Sequence, residues 1–218
     1  MNITDLQREI GATPDGIWGP KSTGALLAKF TNTDAPTLSP AEIAGAAVRL
    51  GCSIHQIDAV RKVEAAGRGF DAVGRPKILF ERHRFHKLTG GRYTPAPFSQ
   101  RDWGGYDVSS WTKLCSAIAT GEVDAAFQSA SWGAFQVMGE WWDELGYRSP
   151  YALAWSTAQS EGDQLELLIR YIEHNRLQDE LAALTSNPET CRAFAAAYNG
   201  PSYRKNRYDE KLAQEMAA

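Results

Sequence analysis

Apolar residues along this chain recur mainly at helical spacing. In ITDLQREIG, Leu6 and Ile10 lie four apart, and Thr4 with Gln7 has the spacing of a capping box, which predicts a short helix stopped by Gly11. TPDGIWGPKSTGALLAKF then predicts a turn at Asp15-Gly16 with Ile17 and Trp18 pointing inward, followed by a second short helix from about Lys21 to Phe30. Residues 31–40, TNTDAPTLSP, carry two prolines and no apolar period, so they predict a linker. Beyond it, Ser39 as N-cap, Pro40 at the first position and Glu42 at the third give a complete helix start, and Ser53 with Gln56 repeats that grammar. On the second of these helices Ile57, Val60 and Glu64 share one face, which places a carboxyl group on the core side near the helix end.

Residues 77–85, KILFERHRF, alternate as a strand would, with Glu81, His83 and Phe85 on one face and Phe80 and Arg82 on the other. GGRYTPAPFSQRDWGGY reads as a loop. The remainder reads as helical in WTKLCSAIATG, DAAFQSA, GAFQVMGEWWDELG, SEGDQLELLIRYIEHNRLQDELAAL, NPETCRAFAAAYNG and NRYDEKLAQEMAA, with Leu165, Leu168, Ile169 and Ile172 forming a stripe. The expected fold is mainly α with one small β insert, preceded by a short helical module: residues 1–36 form the module and 37–218 the main domain.

Composition narrows the function. A chain of 218 residues can bury a substantial core, and a net charge of −3 argues against a general nucleic-acid binder. The stretch from Arg61 to Arg92 has nine Lys/Arg against three acids, a face suited to an anionic polymer if a site lies there. Cys52, Cys115 and Cys191 have no disulfide or zinc spacing. The four histidines make no H-E-x-x-H pattern and GRGFDAVG lacks nucleotide-loop spacing, so neither metal nor cofactor is expected. No apolar signal or membrane-length segment is present, which predicts a protein made and folded in a cytoplasm; a monomer is expected.

Glu64 is the candidate for chemistry. Desolvation and the negative end of the helix dipole both disfavour its charged form, which keeps a proton available for general acid catalysis. The glycines that follow, Gly67 and Gly69, would end the helix beside an open cleft. The alternative is a buried glutamate satisfied by Arg61 or Arg68. Two distant segments bear on the choice: SWGAFQVMG, with Phe135 and Gln136 in an apolar turn, and AFAAAYNGPSY, where a helix ends at Tyr198-Asn199 before Gly200 and Pro201.

An acidic helix end, a G-A-F-Q turn and an A-Y-N-G helix end resemble the lysozyme-like superfamily of goose-type lysozymes and lytic transglycosylases. Across residues 40–218 the chain more specifically resembles the N-acetylmuramidase domain of phage endolysins, although Ala65 stands where the broader superfamily has serine. That resemblance implies that Glu64 is the catalytic acid, that Phe135 and Gln136 line the sugar cleft, and that Tyr198 and Asn199 position the acid and the saccharide. Residues 5–30 resemble a peptidoglycan-binding repeat, which implies wall contacts by Asp15, Trp18 and Thr23. This copy is short, and a cap packed on the main domain is its alternative.

The implied protein is an endolysin that hydrolyses the β-1,4 bond between N-acetylmuramic acid and N-acetylglucosamine in peptidoglycan. It would be stored in the host cytoplasm and released through a separate pore. Glu81 is the candidate second carboxylate, acting on water or as electrostatic support, unless it only pairs with Arg82 or Arg84. A lytic transglycosylase that closes an anhydro ring, and a non-catalytic wall-binding protein, are the rival functions.

Overall fold

The computed structural model describes residues 1–65, 68–93 and 110–218. Helix α1 (Ile3–Glu9) is capped two residues earlier than anticipated, because Asn2 and Asp5 form the reciprocal capping box in place of Thr4 and Gln7. Gln7 is thereby free for another task. Buried, it donates from Nε2 to Asp15 Oδ1 at 2.8 Å, Ile17 O at 3.1 Å and Ser22 Oγ at 3.0 Å, and accepts from Gly16 N at 2.9 Å. The turn is thus clamped by one amide, with Gly16 at φ 75° supplying the left-handed step. Ile17 does not point inward as expected. Asp15 Oδ1 captures its N–H at 2.9 Å, and the side chain swings out to 71 % exposure, while Trp18 packs half-buried against the core.

Helix α2 (Pro20–Lys29) follows and ends at Phe30. The Phe30 ring is fully buried among aromatic groups from the rest of the chain, 5.1 Å from Trp111, 5.4 Å from Trp155 and 6.0 Å from both Trp132 and Tyr151. Two short helices cannot close a core of their own, and here they complete a shared one. Residues 31–39 are irregular, as anticipated for a linker, yet tied down. Asn32 donates from Nδ2 to the carbonyls of Ala158 and Gln159, and the Leu38 N–H reaches Glu161 Oε2 at 3.1 Å.

Helices α3 (Pro40–Leu50) and α4 (Ile54–Ala65) begin as their capping residues predict. Ser39 pairs reciprocally with Glu42, and Ser53 with Gln56. Strand β1 (Ile78–Phe80) is shorter than the anticipated 77–85 because its partner strand supplies residues only as far as Phe80↔Ala130. One further bond, from Glu81 N to Ser129 O at 2.7 Å, closes the ladder. The Glu81 carbonyl then accepts from Arg84 and Phe85 and starts α5 (Arg82–Leu88). Glu81, His83 and Phe85 therefore do not share a strand face: Glu81 is the N-cap of a helix.

The chain continues through α6 (Ser110–Ile118) and α7 (Val123–Gln128) into β2 (Ala130–Trp132) and β3 (Val137–Met138), which complete an antiparallel sheet in the order β1-β2-β3. The segment GAFQVMG, anticipated as helical, is a hairpin. Gly133 takes φ 71° and Gln136 φ 52° at the two ends of its four-residue turn, and at Gly139 a Cβ would meet Phe127 O at 2.2 Å. Helices α8 (Pro150–Ser156), α9 (Glu161–His174), α10 (Gln178–Ala182), α11 (Pro188–Asn199) and α12 (Tyr208–Ala217) complete the mainly helical architecture. Helix α8 was not anticipated, and the pattern over 160–184 is divided at Arg176, φ 55°. The anticipated loop at 90–106 is described only to Tyr93, and Trp103 with Gly67 lies outside the described residues.

Candidate active site

Glu64 sits one residue from the end of α4, half-buried; α12 packs against this helix, and Asn199 at the end of α11 reaches the carboxyl. Neither anticipated arginine neutralises it. Arg61 bonds Asp58 at 2.7 Å, and Arg68 pairs with Glu161 at 3.4 Å. The Glu64 carboxyl instead accepts from Asn199 Nδ2 at 3.0 Å. Burial raises its pKa above the ordinary glutamate value, outweighing the opposing effects of the Asn199 bond and the Lys211 charge. Such a group keeps its proton at less acidic pH than a free side chain and can deliver it to a leaving oxygen.

Tyr198, next to Asn199, is directed toward the hairpin. Its hydroxyl donates to Phe135 O at 2.8 Å, and its ring stacks on Phe194 at 5.6 Å and meets Tyr171 edge-on at 5.3 Å. Burial, then the nearby Glu64 charge, holds the hydroxyl pKa well above the ordinary phenol range, so it remains a donor. Phe135 is 3 % exposed and contributes its carbonyl to this contact.

Gln136 is exposed, but both ends of its amide are engaged within the sheet region. Nε2 donates to Gly133 O at 2.8 Å and Lys77 O at 3.3 Å, while Oε1 accepts from Ser131 Oγ at 2.7 Å. A non-glycine residue at φ 52° is costly, and these bonds hold it there. Glu81 stands at the start of α5. Its carboxylate lies 3.4 Å from His83 Nδ1, and Arg84 pairs instead with Glu140 at 3.1 Å. The sheet joins the two regions, since β1 leads to Glu81 and β2-β3 carries the turn that Tyr198 grips.

The N-terminal candidates sit elsewhere. Asp15 accepts bonds from Gln7 and Ile17, which lower its pKa. Trp18 and Thr23 line a cleft of about 470 Å³ shared with Arg75 and Trp111. Three residues were not singled out from sequence. On α12, the Lys211 charge opposes the rise of the Glu64 pKa, and Tyr208 has its own pKa raised by burial and then by the Glu64 charge; Gln164 on α9 is 1 % exposed. The i, i+3 placement of Tyr208 and Lys211 was legible as a shared helix face, but nothing local pointed that face at Glu64. Among the described residues no group of three or more His, Cys, Asp or Glu side chains is placed to hold a metal ion.

A family model described as N-acetylmuramidase matches residues 53–218, from the cap of α4 to the end of the chain. No curated protein matches. Among solved structures, the crystal structure of Burkholderia AP3 phage endolysin is similar, at 28 % sequence identity and a TM-score of 0.72, over 99 % of this chain and 93 % of that one.

Proposed function

The chain belongs to the N-acetylmuramidase family, and from that premise we propose that it is an endolysin, hydrolysing the β-1,4 bond between N-acetylmuramic acid and N-acetylglucosamine to lyse a bacterial host. The observation that carries the chemistry is Glu64: desolvated, raised in pKa, and held by Asn199 rather than by a cation at salt-bridge distance. The likeness to a phage endolysin over 99 % of the chain supports the lytic role.

Glu64 donates its proton to the glycosidic oxygen as the bond from that oxygen to the anomeric carbon breaks. Water adds to the anomeric carbon and gives up a proton, and solvent returns one to Glu64, so the net change is one water consumed. Glu81 is the proposed second carboxylate, receiving the proton of the water or stabilising positive charge at the anomeric carbon. Gln136 flanks the saccharide from the hairpin turn, the buried Phe135 anchors that turn through its carbonyl, and Tyr198 and Asn199 fix the acid relative to it.

The N-terminal helices hold the wall. An exposed cleft of about 720 Å³ lined by Thr13, Asp15, Ile17 and Lys21 supports this reading. The protein acts as a monomer on peptidoglycan reached from the host cytoplasm through a separate pore. Mass spectrometry of fragments from purified peptidoglycan tests the reaction. Reducing N-acetylmuramic ends carrying one added water are expected, and their yield collapses in Glu81→Gln. Fragments lacking that water, with 1,6-anhydro ends, would show transglycosylation with Glu64 acting alone.

A further inference from the structure

The acid and the sugar-facing turn belong to segments about seventy residues apart, and one buried side chain joins them. Gln164 Oε1 accepts from Ala134 N at 2.7 Å inside the hairpin turn. Its Nε2 donates to Thr157 O at 2.8 Å and, at 3.4 Å, to Gly69 O just beyond the helix that carries Glu64. The fit is tight on both sides. A Cβ at Gly69 would lie 1.8 Å from Gln164 Oε1, and one at Gly133 would lie 2.9 Å from its Cδ. Glu161, one turn earlier on α9, adds to the grip by accepting from Gly69 N at 3.2 Å.

These bonds link the two segments. Gly69, five residues after Glu64 in the sequence, bonds Gln164, and Gln164 bonds Ala134. Phe135 then accepts from Tyr198, and Asn199 returns to Glu64. We propose that Gln164 is a positioning residue for the muramidase reaction, setting the distance between the Glu64 carboxyl and the saccharide held by the 133–136 turn. Asn199 and Tyr198 fix one side of that gap, and Gln164 fixes the other. A group acting only as core filler would be indifferent to which polar atoms it carries; this one uses both ends of its amide on the two segments that flank the reacting bond.

The inference rests on the family's glycosidase activity and not on the lytic role. If the wild-type protein releases no fragments from soluble glycan chains, the functional proposal itself has failed. With wild-type turnover as reference, Gln164→Glu keeps the acceptor for Ala134 but loses the donor to Gly69 and Thr157 whenever the introduced carboxyl is ionised. Measured well below the melting temperature, kcat should fall by roughly 10- to 100-fold near neutral pH with KM little changed, since small misplacements of reacting groups cost rates of this order. As pH falls and that carboxyl regains its proton, activity relative to wild type should recover. Gly69→Ala should lower kcat in the wild-type background, where its methyl displaces the amide, but add much less in Gln164→Ala, where only the 3.1 Å approach to Ala134 Cβ remains. Wild-type kcat in Gln164→Glu, a loss that is uniform with pH, or additive effects of Gly69→Ala and Gln164→Ala would each reduce Gln164 to a packing residue.

Discussion

Asn199 Nδ2 donates to Glu64 Oε1 at 3.0 Å across a sequence separation of 135 residues, while Asn199 Oδ1 is buried with no hydrogen-bond partner among the described residues. The amide donor favours the ionised carboxyl, so Asn199 restrains a pKa that burial drives upward. Removing it as Asn199→Ala should move the alkaline limb of the kcat/KM profile to higher pH, because Glu64 would hold its proton longer. The same change should lower kcat, since the carboxyl loses its anchor. A limb unmoved in a pH-rate series would dissociate Asn199 from the acid.

Glu64→Gln removes the transferable proton but preserves shape and the oxygen that accepts from Asn199. Cleavage of soluble glycan should fall by ~10²- to 10⁴-fold. Stability should respond with the opposite sign. A glutamate whose folded pKa is raised contributes stability that is present below its unfolded value and lost as pH rises through the folded value. Thermal melts of wild type and variant should therefore nearly coincide below about pH 4 and diverge in mildly alkaline buffer, with the glutamine form the more stable. A glutamine form that melts lower at every pH would contradict the desolvation account.

Tyr198→Phe deletes the hydroxyl that reaches Phe135 O and leaves the stacked ring in place. The buried carbonyl loses its donor at a cost of roughly 1–2 kcal/mol, and the rate should drop more than this stability loss alone explains. Parallel measurement of Tm and kcat on the same preparation separates the two effects. Wild-type turnover with a lowered Tm would make Tyr198 a core residue only.

Ile17 extends into solvent at the tip of the turn that Gln7 braces. Ile17→Asp should weaken co-sedimentation with insoluble peptidoglycan several-fold while leaving kcat on short soluble glycans unchanged, because tethering raises local concentration without entering the chemistry. Undiminished sedimentation would remove the turn from wall binding.

Phe30→Ala should destabilise the whole molecule by about 3–5 kcal/mol, since the ring fills a site between Trp111, Trp155, Trp132 and Tyr151. Calorimetry should show one transition at lower temperature. An early melting step confined to the N-terminal helices would instead mean that they unfold independently.

The parts of this architecture that were legible in sequence are those specified locally. Ser39 with Glu42, Ser53 with Gln56, and Asn199 followed by Gly200 each announce a helix boundary within four residues, and the helices obey them. The face bearing Glu64 followed from helical periodicity. What was misread depended on partners far along the chain. The strand at Ile78 stops because β2 runs out, and the 133–136 turn departs from helix because Gln164, some thirty residues later, captures the Ala134 N–H. Gln164 itself looked like an ordinary polar position in an amphipathic helix, and only tertiary packing gives its amide three backbone partners.

Phe30 sets a rule for anyone wishing to redirect this enzyme to a different wall. Its ring belongs to the interior of the body that bears Glu64, so the first two helices are not a detachable cassette: exchanging them whole would remove a keystone from the aromatic nest beneath α6 and α8. The loop between those helices is different, since its conformation is fixed from within by Gln7 while Ile17 and its neighbours meet solvent. On the proposed wall contact, variation confined to the outward residues of 11–17, with Gln7, Asp15 and Gly16 kept, is the route by which specificity would be rewritten without rebuilding the interior.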